Sequence, residues 1–123
     1  MEYLSLEKIN AYQKAYSLSN LVWDEVQSWE KFAKWSVGIQ FVKAADSIAA
    51  NIAEGFGRYY KKDKIQFYRY SFGSLEECID WTKKAKYRSL LGEDEANYFL
   101  EESENLKREI NHLIKFTNEK LKF

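Results

Sequence analysis

Apolar residues recur along four stretches of the chain in steps of three and four residues. This spacing places them on one side of a helix with 3.6 residues per turn, and no comparable stretch alternates with the period of two that marks a strand. The pattern predicts four helices, near residues 6–28, 31–54, 63–90 and 94–121. The predicted inward positions are Ile9, Tyr12, Tyr16, Ser19, Val22, Val26 and Trp29; then Trp35, Ile39, Val42, Ala45, Ala49 and Ile52; then Ile65, Tyr68, Phe72, Leu75, Ile79 and Thr82; and finally Ala96, Phe99, Ser103, Leu106, Ile110, Leu113 and Thr117.

The residues between these stretches agree with the boundaries. We expect the Ser5 hydroxyl to cap the first helix, and the Gly-Phe-Gly segment 55–57 to end the second in the left-handed conformation that glycine adopts readily. Asp63 followed by Gln66 resembles a capping box at the start of the third helix, and Gly92 precedes the acidic start of the fourth. Because short connections make successive helices neighbours, we predict an all-α, antiparallel up-down-up-down four-helix bundle.

The composition narrows the class of protein further. The 123-residue chain, which we expect to form one domain over 1–123, has no proline, one cysteine, and 19 basic side chains against 19 acidic ones. A hydrophobic content of 46% without net charge argues against disorder, and one cysteine cannot form a disulfide scaffold. No run approaches the roughly 18 apolar residues that span a bilayer, and the first residues lack a signal-peptide pattern. We therefore expect a cytoplasmic protein with no membrane partner.

Aromatic residues make up 17% of the chain, which is more than four apolar stripes of a small bundle require. Scattered surface tyrosines are common, but aromatic residues are enriched at the centres of protein interfaces. The surplus therefore predicts self-association. The aromatic residues outside the predicted stripes include Trp23, Phe32, Phe41, Phe56, Tyr59, Tyr60, Phe67, Tyr70, Trp81, Tyr87 and Tyr98.

The neutral total conceals a basic middle. Residues 1–30 carry 2 basic and 5 acidic side chains and residues 91–123 carry 5 and 8, whereas residues 31–60 carry 4 and 2 and residues 61–90 carry 8 and 4. Cations attract phosphates and exposed rings stack on bases, so a basic-aromatic stretch is a candidate nucleic-acid site. A solubilising loop, or an interface between subunits, is the alternative interpretation. The stretch comprises the cations Arg58, Lys61, Lys62, Lys64 and Arg69, interleaved with Tyr59, Tyr60, Phe67, Tyr68 and Tyr70.

Candidate catalytic chemistry is sparse. Glu109 and His112 have the Glu-x-x-His spacing of di-iron bundles, but such a site needs a second motif and the chain has no second histidine. We interpret this pair as ordinary residues of a helix, and Cys78, beside an apolar stripe, as a packing residue. The sequence therefore predicts no catalytic residue, no metal or cofactor and no small-molecule substrate.

Three blocks of sequence resemble the four-helix bundle proteins encoded within intervening sequences of bacterial 23S rRNA genes. Residues 40–58, QFVKAADSIAANIAEGFGR, resemble the pattern Q-L-R-R-A-A-x-S-I-P-x-N-I-A-E-G-x-G-R of that family. Residues 67–77, FYRYSFGSLEE, resemble its block F-x-x-F-L-x-I-A-x-G-S-L-x-E-L, and residues 12–18, YQKAYSL, resemble its opening W-Q-K-A-x-x-L. The blocks are collinear and extend over most of the chain.

The resemblance implies a bundle that assembles as a homo-oligomer, typically a five-fold ring, with no known enzymatic activity. A related family, the accessory variability determinant of diversity-generating retroelements, is a basic pentamer that associates with reverse transcriptase and nucleic acid. Lys43 and Arg58 match basic positions of the motif, so the resemblance makes them candidate phosphate contacts. The chain departs from the pattern at two kinds of position. Where the family has paired arginines, this chain has Val42 and Lys43, so one cation is missing, and where the family has prolines, it has Glu30 and either Ala49 or Ala50.

Other motif residues have structural interpretations. Asn51, Glu54 and Arg58 are spaced so that they could hydrogen-bond around the turn at 55–57. Glycine inside a helix costs about 1 kcal/mol, so the dipeptide Gly73-Ser74 suggests that a neighbouring helix or subunit packs tightly there.

These observations lead to three hypotheses of unequal weight. The first is a non-enzymatic, homo-oligomeric assembly or adaptor module whose partner is RNA, DNA or a nucleic-acid-associated protein. The second is a protein-only scaffold that binds no nucleic acid. The third, a metal-dependent enzyme centred on Glu109 and His112, has the least support.

Overall fold

In a computed structural model that describes residues 5–123, the chain folds into helices and forms no strand within that range. The first four residues, on which the missing signal-peptide pattern partly rests, lie outside the described range. The predicted all-α class and the number of long helices are confirmed. A 3-10 turn, Leu6–Lys8, precedes α1, Asn10–Gln27; α2, residues 31–56; α3, Lys61–Tyr87; and α4, Glu93–Lys120.

The four helices pack as a bundle around one core. α1 packs mainly against α2 and α4, and α3 packs against the same two helices. Phe41, Leu75 and Leu106 are completely buried, and each comes from a different helix. Among residues 5–123 no buried side-chain nitrogen or oxygen lacks a hydrogen-bond partner. The Ser71 hydroxyl, for example, donates to the carbonyl of Ile48 at 2.8 Å, which satisfies a polar group inside the α2–α3 contact.

α2 is continuous but has three parts. An α-helical turn, Lys31–Ala33, leads into a π-helical segment, Lys34–Gly38, and the α-helix Ile39–Phe56 follows. The Glu30 carboxylate begins the helix by accepting hydrogen bonds from the backbone N–H groups of Phe32 (3.0 Å) and Ala33 (2.8 Å). Glu30 therefore serves as an N-cap, a role that the sequence pattern did not reveal because glutamate is not among the favoured N-cap residues.

The buried faces of α1 and α2 agree with the predicted stripes only in part: Val22, Val26, Ala45 and Ile52 are buried as predicted. In α1 the core positions include Ala11, Ala15 and Leu18, whereas Tyr16 is 56% exposed. In α2 the buried positions step by five from Ala33 to Gly38, which is the repeat of a π turn, and then continue with Phe41, Ala44, Ala45, Ile48 and Ile52. Consequently Trp35 (64% exposed) and Ile39 (39% exposed) face outward, whereas Phe41, which lies outside the predicted stripe, is completely buried.

The stripes of α3 and α4 agree with the prediction in most positions. Tyr68, Leu75, Ile79 and Thr82 are buried in α3, although Ile65 and Phe72 are only half-buried. In α4 every predicted position is buried except the half-buried Leu113.

Several predicted helix ends are corrected. The Ser5 hydroxyl makes no capping hydrogen bond, and α1 begins after Ile9. α3 begins at Lys61, so Asp63 lies inside the first turn and not at the N-cap, which removes the predicted capping box. α3 also ends at Tyr87, three residues early, because Ser89 turns the chain with a φ of 60°.

The glycines that end α2 are not left-handed. Gly57 has a φ of −75°, and none of the described glycines has a positive φ. Gly55 is needed for a different reason: a Cβ there would lie 2.7 Å from Cε1 of Tyr68, so only glycine lets the buried tyrosine ring pack against α2. Gly73 has open space around its Cβ position in this chain, so the expected packing of a neighbouring helix there is wrong and only the subunit alternative remains.

We predict that Gly55→Ala destabilises the protein, whereas Gly57→Ala does not. The added methyl group at 55 meets the Tyr68 ring and should lower the free energy of unfolding by about 1–3 kcal/mol. At 57 the nearest atoms to a Cβ are carbonyl oxygens at 3.6 and 3.7 Å, which is ordinary contact. Urea denaturation followed by circular dichroism measures both changes, and equal losses in the two variants would contradict the assignment.

Candidate nucleic-acid interface

The basic-aromatic stretch 58–69 lies at the end of the bundle where α2 ends and α3 begins. The connection is short, since α2 ends at Phe56 and α3 starts at Lys61. The last residues of α4 are close by, because the Lys61 N–H donates to the Phe123 carbonyl at 2.9 Å. The predicted cations therefore surround two helix C-termini, which carry partial negative charge.

Arg58 is engaged by its own chain. Its Nη2 donates to Oε1 of Glu54 at 3.0 Å, and its guanidinium carbon lies 4.5 Å from the centre of the Phe67 ring. The expected contact around the turn thus forms between Glu54 and Arg58. Asn51 does not join it, because its Nδ2 donates to the carbonyl and the hydroxyl of Ser47.

Lys61 and Lys64 close the C-terminal ends of two helices. Nζ of Lys61 donates to the carbonyls of Asn118 (3.1 Å) and Leu121 (3.2 Å), at the end of α4. Nζ of Lys64 donates to the carbonyl of Phe56 (2.7 Å), the last residue of α2. Burial lowers the pKa of Lys64 from its ordinary value. Both ammonium groups satisfy carbonyls that have no partner within their helices, so their first role is structural.

Lys62 and Arg69 are the two cations of the stretch that remain available. Both are exposed, and neither forms an ion pair with any residue in the described part of the chain. With Ile65, Gln66 and Asn118 they line an open groove of about 490 Å³ between α3 and the end of α4. We call this the Lys62–Arg69 groove.

Exposed aromatic rings lie at the same end of the bundle as this groove. Tyr59 and Tyr60 are 70% and 57% exposed, and their rings meet edge to face with centroids 5.0 Å apart. Tyr59 also stacks on Phe123 at 6.2 Å. Tyr70 is half exposed and its hydroxyl accepts a hydrogen bond from Nε2 of Gln66 at 2.6 Å. Tyr68, by contrast, is buried, and burial raises its pKa to about 12, so it cannot contribute to a surface.

Lys43 is separate from the other candidates. It precedes Arg58 by fifteen residues along α2, which corresponds to about 22 Å of helix rise. Its exposed side chain lines a different groove, between α1 and α2, together with Trp23 and Trp35. The structure therefore does not bring the two motif cations, Lys43 and Arg58, into one site.

The remaining motif residues join α2 to α3. The Ser74 hydroxyl donates to the Ser47 hydroxyl at 2.9 Å, and Ser47 also accepts from Asn51. With the Ser71–Ile48 bond, these contacts form a polar row along the helix contact, which gives Asn51 and Ser74 a structural role.

The residues with possible catalytic or metal chemistry are dispersed. His112 is exposed and Glu109 half-buried on α4, and within residues 5–123 no three His, Cys, Asp or Glu side chains are grouped as metal ligands. Cys78 is completely buried, and burial, with a smaller effect of Glu77, raises the pKa of its thiol to about 12. The thiol is therefore protonated and packed in the core at neutral pH.

Comparison with known proteins assigns the family. Residues 7–112 match the family model described as 23S rRNA-intervening sequence protein. The chain belongs to this family. The matched range contains all three blocks that resemble the family in sequence, and it extends from the turn before α1 to the last third of α4.

A solved structure supports the fold of this family member. A protein of unknown function from the S23 ribosomal protein family of Bacteroides thetaiotaomicron superposes with a TM-score of 0.76. The match covers 85% of this chain and 98% of that one, at 14% sequence identity, so it shows the fold alone. No curated protein matches the chain. Of the helices described between residues 5 and 123, none is long and apolar enough to cross a membrane.

We predict that the neighbouring lysines 61 and 62 differ in their effect on stability. Lys61→Met removes the donor to two carbonyls at the end of α4 and should cost about 1 kcal/mol of unfolding free energy. Lys62→Met removes an exposed charge and should change that free energy by less than about 0.5 kcal/mol. Thermal and urea denaturation measure both, and an equal effect of the two substitutions would refute the capping role.

Proposed function

We propose that this protein is a non-enzymatic, homo-oligomeric four-helix bundle of the cytoplasm that acts as an assembly or adaptor module and binds single-stranded nucleic acid. The observation that carries the proposal is the Lys62–Arg69 groove, whose two exposed cations form no ion pair within residues 5–123 and which lies at the end of the bundle that also carries the exposed Tyr59 and Tyr60.

We infer that the helices run alternately up and down. The connections between α1 and α2, α2 and α3, and α3 and α4 are three to five residues long, which favours antiparallel neighbours. Contacts across the bundle agree: Lys61, the first residue of α3, bonds to Asn118 near the end of α4, and Ser71 and Ser74 of α3 bond to Ile48 and Ser47 of α2.

The nucleic-acid proposal rests on charge and stacking together. Lys62 and Arg69 are seven residues apart on α3, so they project from one side of the helix about 10 Å apart. Cations at this spacing can each contact a phosphate, and neutralised phosphates release counterions, which makes binding sensitive to salt. The exposed Tyr59 and Tyr60 rings offer surface on which unpaired bases can stack.

The oligomer proposal rests on exposed apolar surface and on one open position. Large apolar side chains are exposed on every helix, among them Tyr16, Phe32, Tyr70 and Phe116. Aromatic residues are enriched at the centres of protein interfaces, so these side chains are candidates for contacts between subunits. Gly73 lies exposed in the middle of α3 with nothing within 4 Å of a Cβ there, which leaves room for the close approach of a second subunit. The family resemblance adds the expectation of a five-fold ring.

We predict that Lys62→Glu combined with Arg69→Glu abolishes salt-sensitive binding of single-stranded RNA or DNA. Fluorescence anisotropy with a labelled oligonucleotide at low salt should give a clear affinity for the wild-type chain. The double variant should weaken it at least tenfold and reduce the slope against salt by about two. The matched control, Lys83→Glu with Lys86→Glu, changes two exposed lysines elsewhere on α3 and should leave binding nearly unchanged.

A second candidate function, a protein-only scaffold, is favoured by the engagement of Arg58, Lys61 and Lys64 within the chain itself. If the wild-type protein binds no oligonucleotide at tens of micromolar, this alternative replaces the first. The amount of a protein partner recovered in a pull-down should then be unchanged by nuclease treatment.

We predict that the wild-type chain has a mass in solution several times its subunit mass of 14.6 kDa, and that Gly73→Arg lowers it. A Cβ at position 73 has no atom of its own subunit within 4 Å, so the fold should persist while the long arginine side chain blocks the close approach of subunits. Multi-angle light scattering measures the mass, with Lys83→Glu as a control on the same helix. A wild-type monomer at micromolar concentration would refute the oligomer.

A further inference from the structure

A second groove lies at the other end of the bundle, along the seam between α1 and α2. It encloses about 310 Å³ and is mainly apolar. Trp23 of α1 and Trp35, Ile39 and Val42 of α2 form its apolar part, and Lys34 and Lys43 lie at its ends. We call it the tryptophan groove; it shares no residue with the Lys62–Arg69 groove.

The tryptophan groove is a consequence of the π-helical segment. Because the buried positions of α2 step by five from Ala33 to Gly38, the large apolar residues Trp35 and Ile39 are displaced from the core to the surface. Gly38 forms part of the groove wall and packs so closely on α1 that a Cβ would lie 2.7 Å from Cγ1 of Val26. π-helical turns occur frequently at functional sites.

The exposure of the indole rings is unusual for their size. Trp23 is 52% exposed and Trp35 is 64% exposed, although tryptophan is highly buried on average. Tryptophan is also the residue most characteristic of binding hot spots. Two such rings on opposite walls of one groove form a ready apolar contact for a partner side chain.

The dimensions of the groove match the contact face of a helix. Its α2 wall extends from Lys34 to Lys43, which corresponds to about 13 Å of helix rise. The apolar anchors of a docked amphipathic helix, at positions i, i+4 and i+7, span about 10 Å, so they fit between the two lysines.

The two lysines at the ends of the groove favour a partner with acidic residues on both sides of its apolar stripe. Lys34 and Lys43 form no ion pair with any residue between 5 and 123, so both ammonium groups are available to a partner. Carboxylates placed at the two ends of an apolar stripe would pair with them and fix the register of docking.

We propose that the tryptophan groove binds a short amphipathic helix of a partner protein, one with an apolar stripe of about two turns and acidic residues at both ends. This inference goes beyond the proposed function, because it concerns a different surface and does not require nucleic-acid binding or a particular subunit count.

The test uses the full chain and a labelled synthetic helical peptide of about four turns, with leucines at i, i+4 and i+7 and two glutamates at each end. A second peptide carries lysines in place of the glutamates, and a third has the leucines dispersed around the helix. Fluorescence anisotropy should show that the wild-type chain binds the first peptide and neither of the others.

Two variants locate the contact. Trp35→Ala should weaken binding of the acidic peptide at least tenfold, whereas Tyr87→Ala, which removes a 91% exposed ring at the end of α3, should not change it. Lys34→Glu combined with Lys43→Glu should lose the acidic peptide and acquire affinity for the lysine-flanked one. Retained helicity and melting temperature in each variant show that the fold is intact.

Four results would overturn the proposal. One is no binding of the acidic peptide at about 500 µM, weaker than specific helix-in-groove docking. Another is equal binding of the acidic and lysine-flanked peptides. The third is displacement of the peptide by a single-stranded oligonucleotide or by anionic vesicles whose own binding is lost in Trp35→Ala. This result would assign the groove to another class of partner. The fourth is a Trp35→Ala protein that becomes monomeric while the wild type binds no peptide, which would make the groove a contact between copies.

Discussion

The close approach of α2 to both of its neighbours is the constraint on which the rest of the structure depends. Gly38 brings α2 against Val26 of α1, and Gly55 brings it against the Tyr68 ring of α3. Between these two points the buried positions Ala44 and Ala45 keep the helix face narrow. Small residues permit short interhelical distances, and at these contact points dense packing leaves no room for a larger side chain. The large buried residue Phe41 lies between the two contact points, whereas Trp35 lies on the outer side of α2.

This arrangement links packing to both proposed surfaces. At one end of the bundle, the closure of α2 on α3 places Arg58 and Lys64 where they serve the turn and the helix end, which leaves Lys62 and Arg69 to face outward. At the other end, the π-helical segment displaces Trp35 from the core and opens a groove beside α1. Hydrogen bonding to the helix ends therefore leaves Lys62 and Arg69 exposed, and the packing of the core leaves Trp35 exposed, so these side chains are available to partners.

Prediction from sequence succeeded where a helix has a single apolar stripe. In α4 the apolar residues repeat with the helical period and no second stripe competes, so the inward face from Ala96 to Thr117 was predicted at almost every position. In α1 and α2 two apolar stripes overlap, and hydrophobicity alone does not tell which one is buried, so the exposed residues Tyr16 and Trp35 were predicted to face inward. Ser5 and Asp63 were assigned as caps from residue type, but capping depends on where the backbone leaves the helix, which the side chain does not fix.

By itself the sequence determined that the chain is helical, where its four helices lie to within a few residues, and which family it belongs to. These properties are local, because periodicity and motif order can be read within a window of the chain. Only the tertiary structure decided which apolar stripe is buried and which lysines donate hydrogen bonds to carbonyls at helix ends. Each of these depends on contacts between residues distant in sequence, such as Lys61 with Asn118 and Gly55 with Tyr68, whose geometry exists only when the helices are packed.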